Sequence, residues 1–181
     1  MKLTVLDLEM NQPSGKIVQI GAVVGDTVSG DVSHRLRVYV NPGEPINSYI
    51  TELCGITQDQ IDKQGVSLSD AYQLLKQFHL QHSTFMNPVT WGGGDSDYLF
   101  NQLDPKDRED WPFGRRWIDA KTLYVSQTIA KEGKVLSGGL SSVMKRFGLK
   151  FIGRKHDAQD DSENTFKIYH HMLYLIRHGS F

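Results

Sequence analysis

Cysteine is almost absent from this chain, since Cys54 is the single thiol among 181 residues. One thiol excludes an internal disulfide framework, and it argues against a cysteine-based zinc site because histidines would have to supply the other ligands. No apolar run reaches the roughly 18 residues that a membrane-spanning helix needs, and acids within the first ten residues do not fit a secretory signal. We therefore expect a protein without a membrane anchor in a reducing, cytoplasmic location.

An excess of positive charge is also missing, because the formal net charge is −1. Proteins that coat nucleic acid through a broad basic face usually carry far more positive charge. This argues against a passive nucleic-acid binder and leaves room for an enzyme that must release its product. The length, with 39% hydrophobic and 23% charged residues, predicts one globular domain over residues 1–181.

The hydrophobic pattern places strands first and helices later. Apolar runs at residues 3–9 and 17–24 and an alternating run at 34–40 predict a three-stranded antiparallel meander, because turn residues separate them. A further strand is predicted at 84–91, and 104–116 is predicted to be a long loop. Capping residues and helical periodicity predict helices at about 68–78, 95–103, 119–131, 139–147 and 159–177. This order favours an α/β fold, a mixed sheet flanked by helices.

Two acids stand side by side on the first predicted strand. Asp7 and Glu9 are two residues apart, so their carboxylates point to the same face of the strand. Burying adjacent acids costs free energy through desolvation and repulsion. A hard cation such as Mg²⁺ or Mn²⁺ removes that cost. A solvated acidic edge strand is the structural alternative for this pair alone.

Two later segments place acids at the starts of helices. The glycines at 92–94 precede Asp95 and Asp97, and they do not form a phosphate loop because no lysine follows them. His156 lies before the last predicted helix and Asp161 lies in its first turns, so both can reach one side of the sheet. Acids at helix starts also serve as ordinary caps, and each segment alone is compatible with that role.

The three segments together resemble the DEDDh exonucleases of the DnaQ-like superfamily, which share a ribonuclease-H-like fold. The resemblance extends over essentially the whole chain. The Gly-Ile-Thr string at 55–57 and the Gly-Asp-Ser-Asp string at 94–97 are similar to the Eri-like branch, whose members resemble the enzymes that trim histone mRNA and small RNA. The Asp-Leu-Glu-Met string at 7–10 is also similar to oligoribonucleases, which lack the other two strings.

The resemblance implies a 3′-to-5′ exonuclease that releases nucleoside 5′-monophosphates from the 3′ end of single-stranded RNA or DNA. Two divalent ions, Mg²⁺ or Mn²⁺, about 4 Å apart would assist the reaction. Asp7 would bridge both ions, and His156 would take a proton from the attacking water. The remaining metal ligands implied are Glu9, Asp97 and Asp161. Alternatives are oligoribonuclease-like degradation of short RNA and an accessory module that binds nucleic acid or proofreads for a polymerase.

The assignment of the fourth acid and of the substrate contacts is less direct. The resemblance favours Asp97 as the metal-site carboxylate, with Asp95 as the fallback. Met10 and Asn11 follow the metal strand and, with His156, are predicted to contact the terminal nucleotide; a core position is the alternative for Met10. A basic cluster before His156 could guide backbone phosphates, although a solvated surface is the commoner meaning of such a run; it consists of Lys145, Arg146, Lys150, Arg154 and Lys155.

Overall fold

A five-stranded mixed sheet forms the centre of the molecule. The computed structural model describes residues 1–179. The strands are β1 (Lys2–Met10), β2 (Ile17–Asp26), β3 (Val32–Tyr39), β4 (Phe85–Thr90) and β5 (Ile118–Asp119). They lie in the order β3-β2-β1-β4-β5; the first three are antiparallel, and β4 and β5 continue the sheet in parallel. The predicted meander and mixed sheet are therefore confirmed.

Helices cover both faces of this sheet. They are α1 (Ser48–Cys54), α2 (Gln58–Gln64), α3 (Leu68–Gln81), α4 (Asp95–Gln102), α5 (Pro105–Glu109), α6 (Ala120–Glu132), α7 (Leu140–Arg146) and α8 (Ala158–Arg177). One apolar layer joins the sheet to α3 and α4, and another joins it to α6, α7 and α8. No helix within residues 1–179 is both long and apolar enough to cross a membrane.

The central strand β1 contributes side chains to both layers. Leu3 and Val5 pack with α6, α7 and α8, whereas Leu6 and Leu8 pack with α3 and α4. All four are buried. Because side chains alternate along a strand, Asp7 continues the row of Leu3 and Val5. Its carboxylate therefore lies on the face of the sheet that α8 covers.

The segment 104–116 differs from the predicted loop, because it contains α5 and a packed aromatic cluster. Trp111 stacks on Tyr72 of α3, and Phe113 contacts the Trp111 ring edge-on. The two-residue strand β5 was also not predicted. A strand that short has no hydrophobic period to detect, and a five-residue helix depends on tertiary contacts more than on its own propensity.

The start of α8 sits unusually close to β2. A β-carbon at Gly21 would collide with the backbone of Ala158, and the Ser162 hydroxyl donates a hydrogen bond to the Gly21 carbonyl at 3.1 Å. Gly21 pairs with Asp7 in the sheet register. The missing side chain therefore lets the first turn of α8 reach the level of Asp7.

Replacing this glycine should unseat α8. We expect Gly21→Ala to lower the free energy of unfolding by about 1–3 kcal/mol, because a methyl group there has no space without backbone movement. Urea denaturation would measure the loss. Gly93→Ala is the matched control, since a β-carbon at Gly93 meets nothing within 4 Å. Equal stability of the Gly21 variant and the wild type would contradict this packing.

Candidate active site

Three segments meet at one edge of the sheet. β1 and β4 are parallel, so their carboxyl ends lie at the same edge. The end of β1 carries Asp7 and Glu9, while β4 leads through the glycine-rich loop to Asp95 at the start of α4. Gly92 and Gly94 have φ values of +101° and +117°, a conformation that other residues rarely adopt. The first turns of α8 bring Asp161 to this edge as well.

Asp7 lies at the centre of the acidic group. Burial raises the pKa of Asp7 well above its ordinary value, and the negative charges of Asp95, Glu9 and Asp161 raise it further, in that order. Burial also raises the pKa of Glu9, to about 7. The protein alone thus leaves these carboxylates without enough compensating positive charge.

The two acids contributed by helices are perturbed in the same way. Burial raises the pKa of Asp95 to about 6, with a further contribution from Asp119. Burial likewise raises the pKa of Asp161 to about 6, although a hydrogen bond from the His156 backbone partly opposes it. A shared shift of this kind among neighbouring acids is typical of functional sites.

Glu9, His156 and Asp161 converge closely enough to bind one ion. Each offers a ligand atom, and the three atoms lie within 4.8 Å of one another. The Asp161 Oδ2 atom accepts a hydrogen bond from the His156 backbone at 3.1 Å, whereas Asp161 Oδ1 is buried without a partner in the described structure. A buried carboxylate oxygen without a partner costs free energy. The carboxylate oxygens of Glu9 and Asp161 therefore fit a divalent cation here, with the His156 imidazole beside it.

His156 is held in a strained backbone conformation. Its φ is +60°, in the left-handed region that residues other than glycine seldom occupy. Its side chain is exposed, in contrast to the acids beneath it. The loop is tied down on either side, by the bond to Asp161 and by a 2.7 Å hydrogen bond from the Arg154 amide to Asp160. Strain that is maintained by such ties occurs often at functional sites.

The helix cap Asp157 fixes the start of α8 against the sheet. Its Oδ1 atom accepts hydrogen bonds from the Asp160 amide at 3.1 Å and from Arg37 of β3 at 2.7 Å. Gln19 of β2 donates to Asp157 at 3.2 Å and accepts from the Ala158 amide at 2.7 Å. These bonds make Asp157 a structural acid and leave Asp161, one turn later, facing the site.

The structure brings Asp95, not Asp97, to the acidic group. Asp95 is partly buried at the first position of α4, and its charge acts on Asp7. Asp97 is exposed and lines a separate surface hollow with Tyr98 and Asn101. Two residues along a helix rotate the side chain by about 200°, so both acids cannot face one cluster. The preference for Asp97 rested on spacing in the resemblance, which does not contain this rotation.

Asn11 and Met10, which are predicted to contact the substrate, make contacts within the protein instead. Asn11 is only 1% exposed. Its amide donates to Glu44 and to the Pro45 carbonyl at 2.8 and 3.0 Å, and its Oδ1 accepts from the Asn47 amide at 2.9 Å. Met10 is partly buried and packs against the apolar layer under α3. Asn11 therefore holds the loop before α1 and does not present a free amide to a nucleotide.

The predicted basic cluster lies on the surface. Its five members are exposed, and Arg146 forms an ion pair with Glu132 of α6. The Arg154 guanidinium packs over Gly55 at the end of α1, in the space that a β-carbon would occupy. Arg154 thus lies against the end of α1, and the positive charge of Lys155 acts on Asp161.

Cys54 has a contact that the sequence did not predict. Its thiol donates a hydrogen bond to Glu9 Oε2 at 3.1 Å. From the sequence the single cysteine indicated only a reducing compartment. The helical position of Cys54, immediately before the glycine that ends α1, was the available signal, but nothing in its spacing connects it to β1.

The five-stranded sheet and the helices on its two faces have a ribonuclease-H-like fold. The nuclease domain of 3'hExo, a DEDDh family member bound to rAMP, aligns with a TM-score of 0.74 at 21% identity, covering 96% of this chain and 92% of that one. Cell-death related nuclease 4 (CRN-4) aligns with a TM-score of 0.76 at 20% identity, covering 96% and 64%. At these identities the likeness shows the fold.

Sequence comparison gives the family. Residues 4–169 match the family model RNase_T, described as Exonuclease, so the chain belongs to this exonuclease family, as predicted. ERI1 exoribonuclease 2 of Mus musculus is 32% identical over 177 residues, covering 84% of this chain and 24% of the relative. 3'-5' exoribonuclease 1 of Rattus norvegicus is 26% identical over 166 residues, covering 87% of this chain and 47% of the relative. The chain thus spans less than half the length of these relatives.

The raised pKa values predict a pH-dependent stability for the metal-free protein. Between the ordinary carboxyl values near 4 and the folded values of about 6 to 7, the native state binds more protons than the unfolded state. Stability therefore falls as pH rises through this window and levels off above it. His79, whose pKa burial lowers to about 4, acts in the opposite direction below its ordinary value of 6.5.

Comparing variants isolates the contribution of the site carboxylates to this pH-dependent stability. We expect chelator-treated Glu9→Gln to gain melting temperature over the wild type as pH rises from about 5 to 8, because it removes the carboxyl whose pKa is raised to about 7. Glu52→Gln, on the exposed surface of α1, is the matched control. A difference between Glu9→Gln and wild type that does not change with pH would contradict the raised pKa.

Proposed function

We propose that this chain is a metal-dependent 3′-to-5′ exonuclease that removes nucleoside 5′-monophosphates from the end of single-stranded nucleic acid. The observation that carries the proposal is the convergence of Glu9, His156 and Asp161 within 4.8 Å beside the partly buried Asp7. Membership of the exonuclease family supports the reaction class. Helix caps alone would not explain a central acid surrounded by three others.

We assign the metal-site carboxylates to Asp7, Glu9, Asp95 and Asp161. Asp95 replaces Asp97, which the resemblance favoured, because the charge of Asp95 acts on Asp7 and Asp95 is partly buried. Divalent ions held there supply charge neutralisation at the phosphate and a more acidic attacking water. Mg²⁺ and Mn²⁺ are both compatible with a set of hard oxygen donors.

The chain's own residues deprotonate the attacking water and attract the phosphate backbone of the substrate. His156 is exposed at the mouth of the acidic group, and its backbone amide is fixed by Asp161. From this position the imidazole takes the proton of the attacking water, a role that suits histidine near neutral pH. Arg154, packed over Gly55, contributes a positive charge toward the incoming phosphate backbone, with Lys155 beside it.

RNA is the substrate we favour. The relatives with the highest similarity reported above are named exoribonucleases, and a net charge of −1 suits brief contact with a strand end better than tight coating of a duplex. A cytoplasmic location and a single domain over residues 1–181 stay predictions from composition and length.

The reaction is tested with single-stranded RNA, single-stranded DNA and duplex RNA, each labelled at the 5′ end. We expect a ladder of strands shortened one nucleotide at a time from the 3′ end, fastest on single-stranded RNA, in Mg²⁺ or Mn²⁺. Excess chelator should abolish the ladder, because the four acids alone repel the substrate. Internal cuts, or hydrolysis that survives chelation, would refute the proposal.

The assignment of the fourth acid is tested by a matched pair of substitutions on α4. Asp95→Asn should lower kcat/KM by about 10²–10⁴-fold, since loss of a ligand removes several kcal/mol of transition-state stabilisation. Asp97→Asn should stay within about threefold of the wild type, a change below 1 kcal/mol. Steady-state kinetics on one oligonucleotide measures both. The reverse result would return the metal-site role to Asp97.

A further inference from the structure

The Glu9 carboxylate contacts an uncharged side chain, the thiol of Cys54. The Cys54 sulfur lies 3.1 Å from Glu9 Oε2, and the thiol is 4% exposed. A carboxylate accepts hydrogen bonds but cannot donate them, so the thiol is the donor. The bond joins the end of α1 to the end of β1, two elements that are far apart in sequence.

We propose that Cys54 is a positioning residue that holds the Glu9 carboxylate in the orientation required for metal binding. This inference rests on the proposed function, because it assigns a role to a neighbour of a proposed metal ligand. A ligand carboxylate that turns freely about its terminal bond loses conformational entropy when an ion binds. A hydrogen bond to one of its oxygens restricts that rotation before the ion arrives, as outer partners commonly do at metal sites.

The surroundings of Cys54 make the bond persistent. Gly55 ends α1 in a left-handed conformation, with φ at +72° and its amide bonded to the Thr51 carbonyl. Cys54 packs in an apolar cluster with Ile50 and Ile56. The sulfur therefore has little freedom to turn away from Glu9.

Packing alone is the competing explanation, since Cys54 also fills space in this apolar cluster. Substitutions at Cys54 distinguish packing from hydrogen-bond donation. Serine preserves a donor at the same position, whereas alanine removes it. Ile50→Val is the matched packing control, because it removes one methyl group from the same cluster and neither side chain can donate a hydrogen bond to Glu9.

The experiment measures Mn²⁺ binding by titration calorimetry and, separately, the dependence of kcat and KM on Mn²⁺ concentration. For Cys54→Ala we expect Mn²⁺ affinity to fall about tenfold, the lower end for loss of an outer hydrogen-bond partner, because a thiol is a weak donor. Activity should recover at high Mn²⁺ with an unchanged KM for the oligonucleotide. Cys54→Ser should restore most of the affinity, and Ile50→Val should retain it.

Two outcomes overturn the positioning role. Wild-type affinity in Cys54→Ala would show that the bond does not orient Glu9. Equal losses in the alanine and serine variants, shared by Ile50→Val, would show that packing is responsible. If the wild type binds Mn²⁺ and hydrolyses no nucleic acid, the proposed function fails, whereas the comparison of Mn²⁺ affinities among the variants still decides the role of Cys54.

Discussion

The partial burial of a group of like-charged carboxylates is the constraint on which this architecture depends. Burial disfavours the ionised form of Asp7, and the charges of Asp95, Glu9 and Asp161 add to that effect. A fold that concentrates negative charge without a compensating cation must hold the acids in place by other means. The sheet, two helix starts and a glycine-rich loop supply those means, and each element enters the site from a different direction.

The acids at the start of α8 differ in the groups that they contact. Arg35 forms a bidentate hydrogen-bonded pair with Glu163, at 2.6 and 2.8 Å, and Arg37 of β3 bonds Asp157. These pairs fasten the helix to the meander through charge-assisted bonds. Asp161 lies between them in sequence, but its carboxylate meets the other acids of the site. The same helix thus provides both an anchor and a candidate metal ligand.

Periodicity predicted most of the fold, because long strands and amphipathic helices carry a repeated signal. It could not detect β5, which has two residues, or α5, which depends on tertiary contacts. At the site, strand alternation and spacing predicted that Asp7, Glu9, His156 and Asp161 reach one side of the sheet, and the structure brings them together, while their roles stay predictions. The choice between Asp95 and Asp97 required the rotation of α4, and the contact of Cys54 with Glu9 required the tertiary fold. Asn11 was misassigned because its buried bonds to Glu44 and Asn47 leave no trace in the sequence.

Those bonds of Asn11 couple two parts of the chain during local unfolding. The Asn47 amide, which donates to Asn11 Oδ1 and begins the turn into α1, is released only when the loop separates from the end of β1. Amide hydrogen exchange at this position therefore reports an opening event that includes both segments. Helix α1, which carries Cys54, and strand β1, which carries Glu9, would then belong to one cooperative unit. The carboxylate and its thiol partner would therefore be exposed to solvent together.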